Sequence, residues 1–140
     1  MVRVVSRTLE INSRRRGLFE FTDQVRGFVV DSGLRQGLLT LFCLHTSASL
    51  LIQENADPDV CHDLNAFFAE LSPDGQPGWR HCSEGPDDMS AHIRCALTQT
   101  SIGIPLVEGR LALGTWQGIY LWEHRSSPHR RRVLLHLLGE

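Results

Sequence analysis

The alternation of apolar and polar residues predicts strands in the first third of the chain. Residues 2–11 partly alternate, which is typical of a half-buried strand, and residues 18–21 form a second short run of this kind. Residues 37–44 are almost continuously apolar over the length of one strand, and residues 49–53 predict a further strand that folds back beside them. We therefore expect this region to build part of a sheet.

Two helices are predicted among these strands. Thr22 or Asp23 can cap the first helix, which presents one apolar face and ends near Gly33. The second helix begins with Asp57 as its cap and Pro58 in its first turn, where the missing N–H of proline costs no hydrogen bond. The outward polar residues of the first helix favour its packing as a cover on a sheet.

The second half of the chain predicts one more helix and then mostly strands. Residues 72–85 are rich in glycine and proline and are expected to form a long loop. A third helix is predicted to begin near Asp88 or Ser90. The strands predicted after it cover residues 102–107, 111–122 and 133–138, with a turn at Glu108-Gly109. This order favours an α+β fold built on a mainly antiparallel sheet.

Composition is that of an ordinary globular domain. Hydrophobic residues make up 41% and charged residues 21% of the 140 residues, so we expect one domain over residues 1–140. The net charge of −2 creates no field toward nucleic acid or an anionic membrane, and neither is expected as a partner. Arginine runs at 14–16 and 130–132 lack interleaved aromatic residues and are interpreted as solvated loops. The chain contains no lysine, so only arginine can supply cationic contacts to phosphate.

The amino terminus and the cysteines favour a cytoplasmic protein. Residues 1–7 have no apolar secretion core, and no stretch reaches membrane-spanning length. Cys43, Cys61, Cys82 and Cys95 are widely spaced and form no Cys-x-x-Cys pair. We interpret them as reduced and mostly buried thiols.

Histidines raise the hypothesis of a metal site. His81 and His92 flank the acidic run of residues 84–88, and His124 follows Glu123 at the end of an aromatic segment. Imidazole and carboxylate groups bind divalent metals, but these residues lack the compact spacing of His-Glu-x-x-His. The fold would have to assemble the site, and helix capping is an alternative role for the acidic residues.

Two further polar segments lie next to predicted strand ends. His45, Thr46 and Ser47 can face a pocket mouth and hold an anion, or they can satisfy a turn. Glu54 and Asn55 precede the second helix without being needed for its cap, which leaves a pocket role open. The chain has no Gly-x-Ser-x-Gly motif, dinucleotide-binding glycine pattern or phosphate loop.

Several segments match a known family in the same order along the chain. They are His-Thr-Ser-Ala-Ser at 45–49, Glu-Asn-Ala-Asp-Pro-Asp-Val at 54–60, Arg-His at 80–81, Glu-Gly-Pro-Asp-Asp-Met-Ser-Ala-His-Ile at 84–93, Gly-Thr-Trp-Gln at 114–117 and Glu-His-Arg at 123–125. On these residues the chain resembles the YjbQ-like family, and the Gly-Thr-Trp-Gln block is highly specific. Ser90 stands where a proline is usual in that family, and Trp122 stands where a smaller residue is common.

The resemblance implies a fold, an assembly and an activity. The family fold is an α+β domain with a mainly antiparallel, barrel-like sheet covered by about three helices, and members tend to form trimers. Members have been linked to thiamine phosphate synthase activity as a secondary function. That reaction couples hydroxymethylpyrimidine diphosphate to thiazole phosphate and releases pyrophosphate. Some family structures carry a metal near the family histidines.

The resemblance also implies roles for individual residues. A divalent metal, zinc first and magnesium as the alternative with a diphosphate substrate, is expected on His81, His92 and His124. Catalytic roles are expected for His45, Glu54, His92 and Glu123. Substrate contacts to a phosphorylated small molecule are expected from Thr46, Ser47, Asn55, Arg80, Trp116, Gln117 and Arg125. Among these, an arginine suits a phosphate and Trp116 suits a flat heterocycle.

Two other functions are compatible with the same residues. One is a non-catalytic trimer that binds a metal or small ligand and whose synthase activity is incidental. The other is a metal-dependent hydrolase of a small phosphorylated compound, which would use the same ligands to activate water.

Overall fold

The computed structural model describes all residues, 1–140, as eight strands and three helices. The strands are β1 (Arg3–Ser13), β2 (Gly17–Glu20), β3 (Gly37–Cys43), β4 (Ala48–Glu54), β5 (Ser101–Val107), β6 (Arg110–Leu111), β7 (Gln117–Glu123) and β8 (His129–Gly139), and the helices are α1 (Thr22–Ser32), α2 (Pro58–Leu71) and α3 (Asp88–Leu97). One sheet has the order β1-β8-β3-β5-β6 and the other the order β2-β7-β4, and every strand pair is antiparallel. The sheets curve into a half-barrel, so the predicted α+β class is confirmed.

The hydrophobic core lies on the inner face of this half-barrel. Strict alternation in β5 buries Ile102, Ile104 and Leu106, while the residues between them stay exposed. The apolar face of α1 covers the sheet, with Val25 and Phe28 almost completely buried. Burial of each such side chain contributes about 1.5–3 kcal/mol, so the core depends on keeping this register.

Helix α1 ends where the sequence predicts and begins slightly differently. Gly33 takes the left-handed conformation with φ of 70°, and its N–H bonds the carbonyl of Val30, which closes the helix. Thr22 is the first helical residue and does not cap it. Its hydroxyl instead donates to Glu20 Oε2 at 2.7 Å and accepts the N–H of Ile119 at 2.8 Å, which ties the helix start to the sheet.

Strand pairing differs from the sequence prediction in two places. β4 does not fold back beside β3, since it joins the other sheet and pairs with β7. The strand predicted over residues 111–122 is interrupted, because β6 ends at Leu111 and β7 begins at Gln117. A turn in which Gln117 Oε1 accepts the N–H of Gly114 separates the two strands.

Helix α2 begins as predicted but packs loosely. The Asp57 side chain accepts the N–H of Asp59 at 2.9 Å, and Pro58 occupies the first turn. No residue of α2 is fully buried, and Phe67 remains exposed. Its main anchor is Trp122, whose indole N–H donates to Asn65 Oδ1 at 3.0 Å. None of the helices has the length and apolar character needed to cross a membrane.

Candidate functional site

The pairing of β4 with β7 sorts the predicted site residues into two groups. Ala48 is opposite Glu123 at one end of the pair, and Glu54 is opposite Gln117 at the other. Six residue steps of about 3.3 Å separate these ends by about 20 Å. The first end carries His45, Thr46, Ser47, Glu123, His124 and Arg125, with His92 bonded to Thr46, and the second carries Glu54, Asn55, Trp116 and Gln117. Within one subunit, the predicted residues therefore do not share one pocket.

A cluster of four metal-binding side chains lies at the first end. His81, Glu84, Asp88 and His92 each offer one ligand atom, and these atoms lie within 4.8 Å of one another. His81 Nε2 is 2.6 Å from Asp88 Oδ2 and 3.2 Å from Glu84 Oε2. We call these four residues the His/carboxylate cluster. It unites the two predicted histidines His81 and His92 and adds two carboxylates to them.

Helix geometry builds half of the His/carboxylate cluster. Asp88 is the first residue of α3 and His92 lies one turn later, so both side chains emerge on the same face of the helix. His92 Nε2 is 3.0 Å from Asp88 Oδ2. The loop before α3 delivers His81 and Glu84 onto that face. Asp88 is almost fully buried, so bulk water cannot solvate its carboxylate.

The hydrogen bonds of His92 fix the position of its proton. Its Nδ1 lies 2.8 Å from the carbonyl oxygen of Thr46, which can only accept, so Nδ1 carries the proton. In the neutral ring, Nε2 then turns a lone pair toward the carboxylate of Asp88. Two acceptors facing each other require a cation between them, which is either a proton or a metal ion. A histidine held in this way by a backbone carbonyl is typical of metal ligands.

Charge also shapes the cluster. The hydrogen bond that His81 donates to Asp88 raises the pKa of His81 above its usual value. Burial acts to raise the pKa of Asp88, but the hydrogen bond with His81 and the nearby cations outweigh it and lower that pKa. Asp88 is therefore an ionised carboxylate with two imidazoles around it.

Arg125 holds the acidic side of the cluster in place. Its Nε bonds Asp87 Oδ2 at 3.1 Å, its Nη1 lies 2.8 Å from Asp88 Oδ1, and its Nη2 donates to the carbonyl of Glu84 at 2.9 Å. Burial alone would raise the pKa of Asp87, but Arg125 and the bonds from Ser126 hold it well below its usual range. The sequence predicted that Arg125 contacts a substrate phosphate. In the structure its guanidinium instead binds the carboxylates of Asp87 and Asp88.

His124, the third predicted metal ligand, lies outside the His/carboxylate cluster. Its side chain is 0% exposed, and its Nε2 bonds Ser49 Oγ at 2.8 Å. Burial, followed by the positive charge of Arg94, lowers its pKa to about 3. The physical reason for its separate position is that β7 turns this side chain toward the Trp122 ring, 5.3 Å away, and into the interior.

Glu123, which the sequence predicted as catalytic, is also completely buried. Its carboxylate accepts bonds from Arg131 Nε at 2.8 Å, from Ser13 Oγ at 2.6 Å and from the backbone N–H of Arg125 at 3.1 Å. Burial acts to raise the pKa of Glu123, but these bonds outweigh it and the pKa falls. With every nearby donor already bonded to it, Glu123 anchors Arg131 and has no open face toward a substrate.

An open cleft of about 830 Å³ adjoins the His/carboxylate cluster. Its polar lining includes His45, Thr46, Ser47, His92 and Arg131, and its apolar lining includes Phe42 and Cys95. His92 belongs to both the cleft and the cluster, so a ligand in the cleft can reach the cluster. The Cys43 and Cys95 thiols at the cleft wall bond the same carbonyl of Ala48, and burial raises the pKa of both.

The remaining predicted residues lie away from the cleft. Trp116 is 61% exposed, and Asn55 Nδ2 donates to Glu20 Oε2 at 3.0 Å. The carbonyl of Glu54 accepts the Tyr120 hydroxyl at 3.3 Å. Gln117 closes the turn before β7, and Arg80 is exposed next to His81. Except for Arg80, these residues form a second polar group at the far end of β4 and β7.

Sequence reasoning missed three residues that the structure places at the site. Arg131 lies in phase with the buried Val133 and Leu135 of β8, and that alternation could have identified it as an inward-facing arginine. Asp88 lies four positions before His92, a spacing that predicts a shared helix face. Glu84 has no comparable signal, because its position depends on the path of a loop.

Comparison with known proteins places the chain among relatives of the same length. The model of the family described as "UPF0047 protein YjbQ-like" matches residues 7–140. A UPF0047 protein of Synechocystis is 55% identical over 132 residues, which cover 94% of this chain and 90% of the relative. The UPF0047 protein YjbQ of Escherichia coli O157:H7 is 42% identical, with 96% of this chain and 97% of the relative covered.

Solved structures show the same fold. A YbjQ-like protein from Sulfolobus solfataricus superposes with a TM-score of 0.91 at 26% identity, with both chains covered completely. A hypothetical protein from Aeropyrum pernix superposes with a TM-score of 0.85 at 34% identity over 99% of each chain. The family match and the relatives agree over nearly the whole length, and the chain belongs to the UPF0047, YjbQ-like family.

Proposed function

We propose that this protein is a metal-dependent enzyme that acts on a small phosphorylated molecule in the cleft beside the His/carboxylate cluster. The observation that carries the proposal is the pair of acceptors formed by His92 Nε2 and Asp88, 3.0 Å apart at the edge of the cleft. A divalent cation would satisfy both at once.

The chemistry of the donors supports a transition metal over magnesium. The cluster offers two imidazole nitrogens and two carboxylates. Zinc accepts such mixed nitrogen and oxygen sets, whereas magnesium prefers oxygen ligands and bound water. The backbone carbonyl of Thr46 bonds His92, and the side chain of Arg125 bonds Asp88. Such hydrogen bonds to the ligands, made by groups that do not bind the metal themselves, orient the ligands at functional metal sites.

The specific reaction that we propose is of the thiamine phosphate synthase type. A metal on the cluster would supply Lewis-acid stabilisation to the departing pyrophosphate. His45 would donate a hydrogen bond to the substrate from the cleft wall, and Thr46 and Ser47 would contact its polar groups. Glu54, Asn55, Trp116 and Gln117 lie about 20 Å away along β4 and β7, so they can contribute only from another subunit.

A homotrimer is part of this proposal. The outer face of the larger sheet carries a row of apolar residues across neighbouring strands, formed by Val4, Leu138, Leu38 and Pro105 in register. Val4 is 57% exposed and Leu38 is 50% exposed. Contiguous apolar surface of this kind marks protein interfaces. Phe42 lies on the same face and also lines the cleft, so an interface there would border the site.

Turnover assays test the proposed reaction. The purified protein is loaded with zinc, manganese or magnesium and incubated with hydroxymethylpyrimidine diphosphate and thiazole phosphate. We expect metal-dependent pyrophosphate release that falls about 100-fold or more in His92→Ala. His62→Ala, which removes an exposed histidine of α2, is the matched control and should retain full activity. Turnover that survives complete metal removal would contradict the proposal.

A hydrolase is the second candidate, and one observation favours it. Glu84 is largely exposed beside the cluster, where a carboxylate can accept a proton from water. The same metal-loaded protein is incubated with generic phosphate esters. Release of phosphate from them would support a hydrolase over a synthase. Saturable binding of the thiamine precursors without turnover of any compound would instead support the non-catalytic binding protein.

A further inference from the structure

Hydrogen-bond donors without acceptors converge at the floor of the cleft. Arg131 is 5% exposed, yet it lines the cleft. Its Nε and Nη2 are bonded to Glu123, and Nη2 also donates to Ser47 Oγ at 2.9 Å. Nη1 remains, and its hydrogen-bonding neighbour is His45 Nδ1 at a long 3.4 Å.

The second donor is His45. Its Nε2 accepts the backbone N–H of Arg132 at 2.8 Å, and a backbone N–H can only donate. The neutral ring therefore carries its proton on Nδ1. Burial and then the charge of Arg131 lower the pKa of His45, which keeps the ring neutral at physiological pH. Nδ1–H thus faces Arg131 Nη1, and two donors meet with no acceptor between them.

The third donor is the Ser47 hydroxyl. Its oxygen accepts from Arg131, and its own hydrogen has no acceptor within the fold. Ser47 is buried but lines the cleft beside His45. Arg131 and Ser47 are buried and His45 is half-buried, and an enclosed donor without an acceptor is unfavourable. Three such donors side by side favour a group with several acceptor oxygens.

We propose that Arg131, His45 and Ser47 form an anion-binding subsite for an oxyanion group, either a phosphate or a carboxylate, at the floor of the cleft. The Glu123 carboxylate holds the guanidinium in place behind the subsite, so no reorganisation is needed when the anion arrives. The identity of this anion as part of the substrate rests on the proposed function, whereas the subsite itself needs no metal.

The subsite defines a substrate class more narrowly than the cluster does. His92 lines the same cleft, so one ligand can place an anionic group on Arg131 and a second polar group at the His/carboxylate cluster. The substrate is then a small molecule with an oxyanion at one end and a metal-binding or leaving group at the other. The apolar wall of Phe42 and Cys95 suits a short, flat linker between them.

Calorimetric titration of the metal-free protein tests the subsite. Inorganic phosphate and acetate are titrated separately into chelator-treated protein at neutral pH, and their relative affinities distinguish a phosphate from a carboxylate subsite. We expect one saturable site for at least one of the two anions. His45→Phe should weaken binding about tenfold, and Arg131→Gln should weaken it further.

Control variants keep the test decisive. Arg130→Gln removes the same charge from the same strand at an exposed position and should bind like the natural protein. If Arg131→Gln does not fold, His45→Phe alone decides. Absence of saturable binding of both anions would overturn the subsite, as would equal affinity in His45→Phe. Zinc binding by the same protein is titrated separately, so retained anion binding without zinc binding would overturn only the proposed function.

Discussion

The Glu123 side chain illustrates how single residues set the properties of this site. It is completely enclosed, and its partner Arg131 is nearly so. A buried ion pair contributes little net stability, because desolvation of both charges offsets their attraction. The role of Glu123 is instead to hold the Arg131 guanidinium in a fixed position at the cleft. Removal of one partner leaves the other charged and unpaired.

Glu123→Gln is therefore expected to destabilise the fold by about 3 kcal/mol, because the Arg131 guanidinium keeps its charge in a buried place. Urea unfolding followed by circular dichroism measures this change in the free energy of unfolding. Glu10→Gln, at an exposed position of β1, is the matched control and should change stability by no more than about 0.5 kcal/mol. An equal effect of the two substitutions would contradict the account of the ion pair.

His124 predicts a specific loss of stability in mild acid. Burial lowers its pKa to about 3 in the folded protein, while the unfolded chain titrates near 6.5. Between these values the unfolded state binds a proton that the folded state does not, so stability falls as pH falls from about 6.5 toward 3. This residue alone can remove up to about 2 kcal/mol between pH 6.5 and 5.

Unfolding measurements over that range isolate the effect. The free energy of unfolding of His124→Gln should depend less on pH than that of the natural protein, and His62→Gln should leave the dependence unchanged. Identical pH dependence in all three proteins would show that His124 is not kept neutral by burial.

Residue identity alone could predict some of this site. The sequence places His81 and His92 on either side of an acidic run, and the structure brings both histidines together with Glu84 and Asp88 of that run. The sequence could not show that Arg125 is committed to Asp87 and Asp88, because the partner of an arginine depends on tertiary contacts. It also could not show that His124 points inward, since a strand end does not specify which face its next residue takes.

The strands β3 and β8 illustrate the constraints on whole elements. Gly37 lies opposite Gly139 where the two strands meet, and a Cβ at Gly37 would lie 2.2 Å from the backbone oxygen of Leu138. Such an approach excludes any side chain, and the neighbouring backbone cannot move away without breaking the pairing. Gly27, within α1, would meet nothing within 4 Å.

These two glycines predict opposite effects of the same substitution. Gly27→Ala should stabilise the protein by up to about 1 kcal/mol, because alanine has the higher helix propensity and has free space there. Gly37→Ala should destabilise it by about 2 kcal/mol or more, since the sheet must distort. Thermal and urea unfolding of both variants give the comparison. A neutral Gly37→Ala would mean that β3 and β8 are not in such close contact.

Local signals predicted the elements better than their partners. Asp57-Pro58 and Gly33 correctly mark a helix start and a helix end, because caps and left-handed turns depend on adjacent residues. The partner of β4 was predicted wrongly because strand pairing is a long-range choice, and alternation within a strand does not specify its neighbour. Phe67 and Leu71 on the apolar face of α2 are more than half exposed, so only part of that face finds contacts within the subunit.

At the scale of the whole molecule, the apolar row on the outer sheet supports a subunit interface for the proposed trimer. Leu138 is 48% exposed and lies between Val4 and Leu38, so the row has no cover within the chain. Phe42 lies on this face and lines the cleft, so an interface here would border the cleft and bring residues of a neighbouring subunit near it. The two polar groups at opposite ends of β4 and β7 could then meet across subunits.

Light scattering coupled to size exclusion tests the assembly. The natural protein is expected to have three times the chain mass of 15.8 kDa. Leu138→Asp should give monomers, because a buried charge at the centre of the interface is unfavourable. Val30→Asp, an equally polar change at an exposed position of α1, should remain a trimer. A monomeric natural protein, or trimers of Leu138→Asp, would contradict this interface.

Metal binding at the His/carboxylate cluster is the central claim, and metal stoichiometry tests it most directly. Chelator-treated protein is titrated with zinc, and bound metal per chain is measured by mass spectrometry of the dialysed protein. We predict one tightly bound ion per chain in the natural protein and in His62→Ala, and a loss of at least about tenfold in affinity in His92→Ala. Equal zinc binding by His92→Ala and the natural protein would contradict the account.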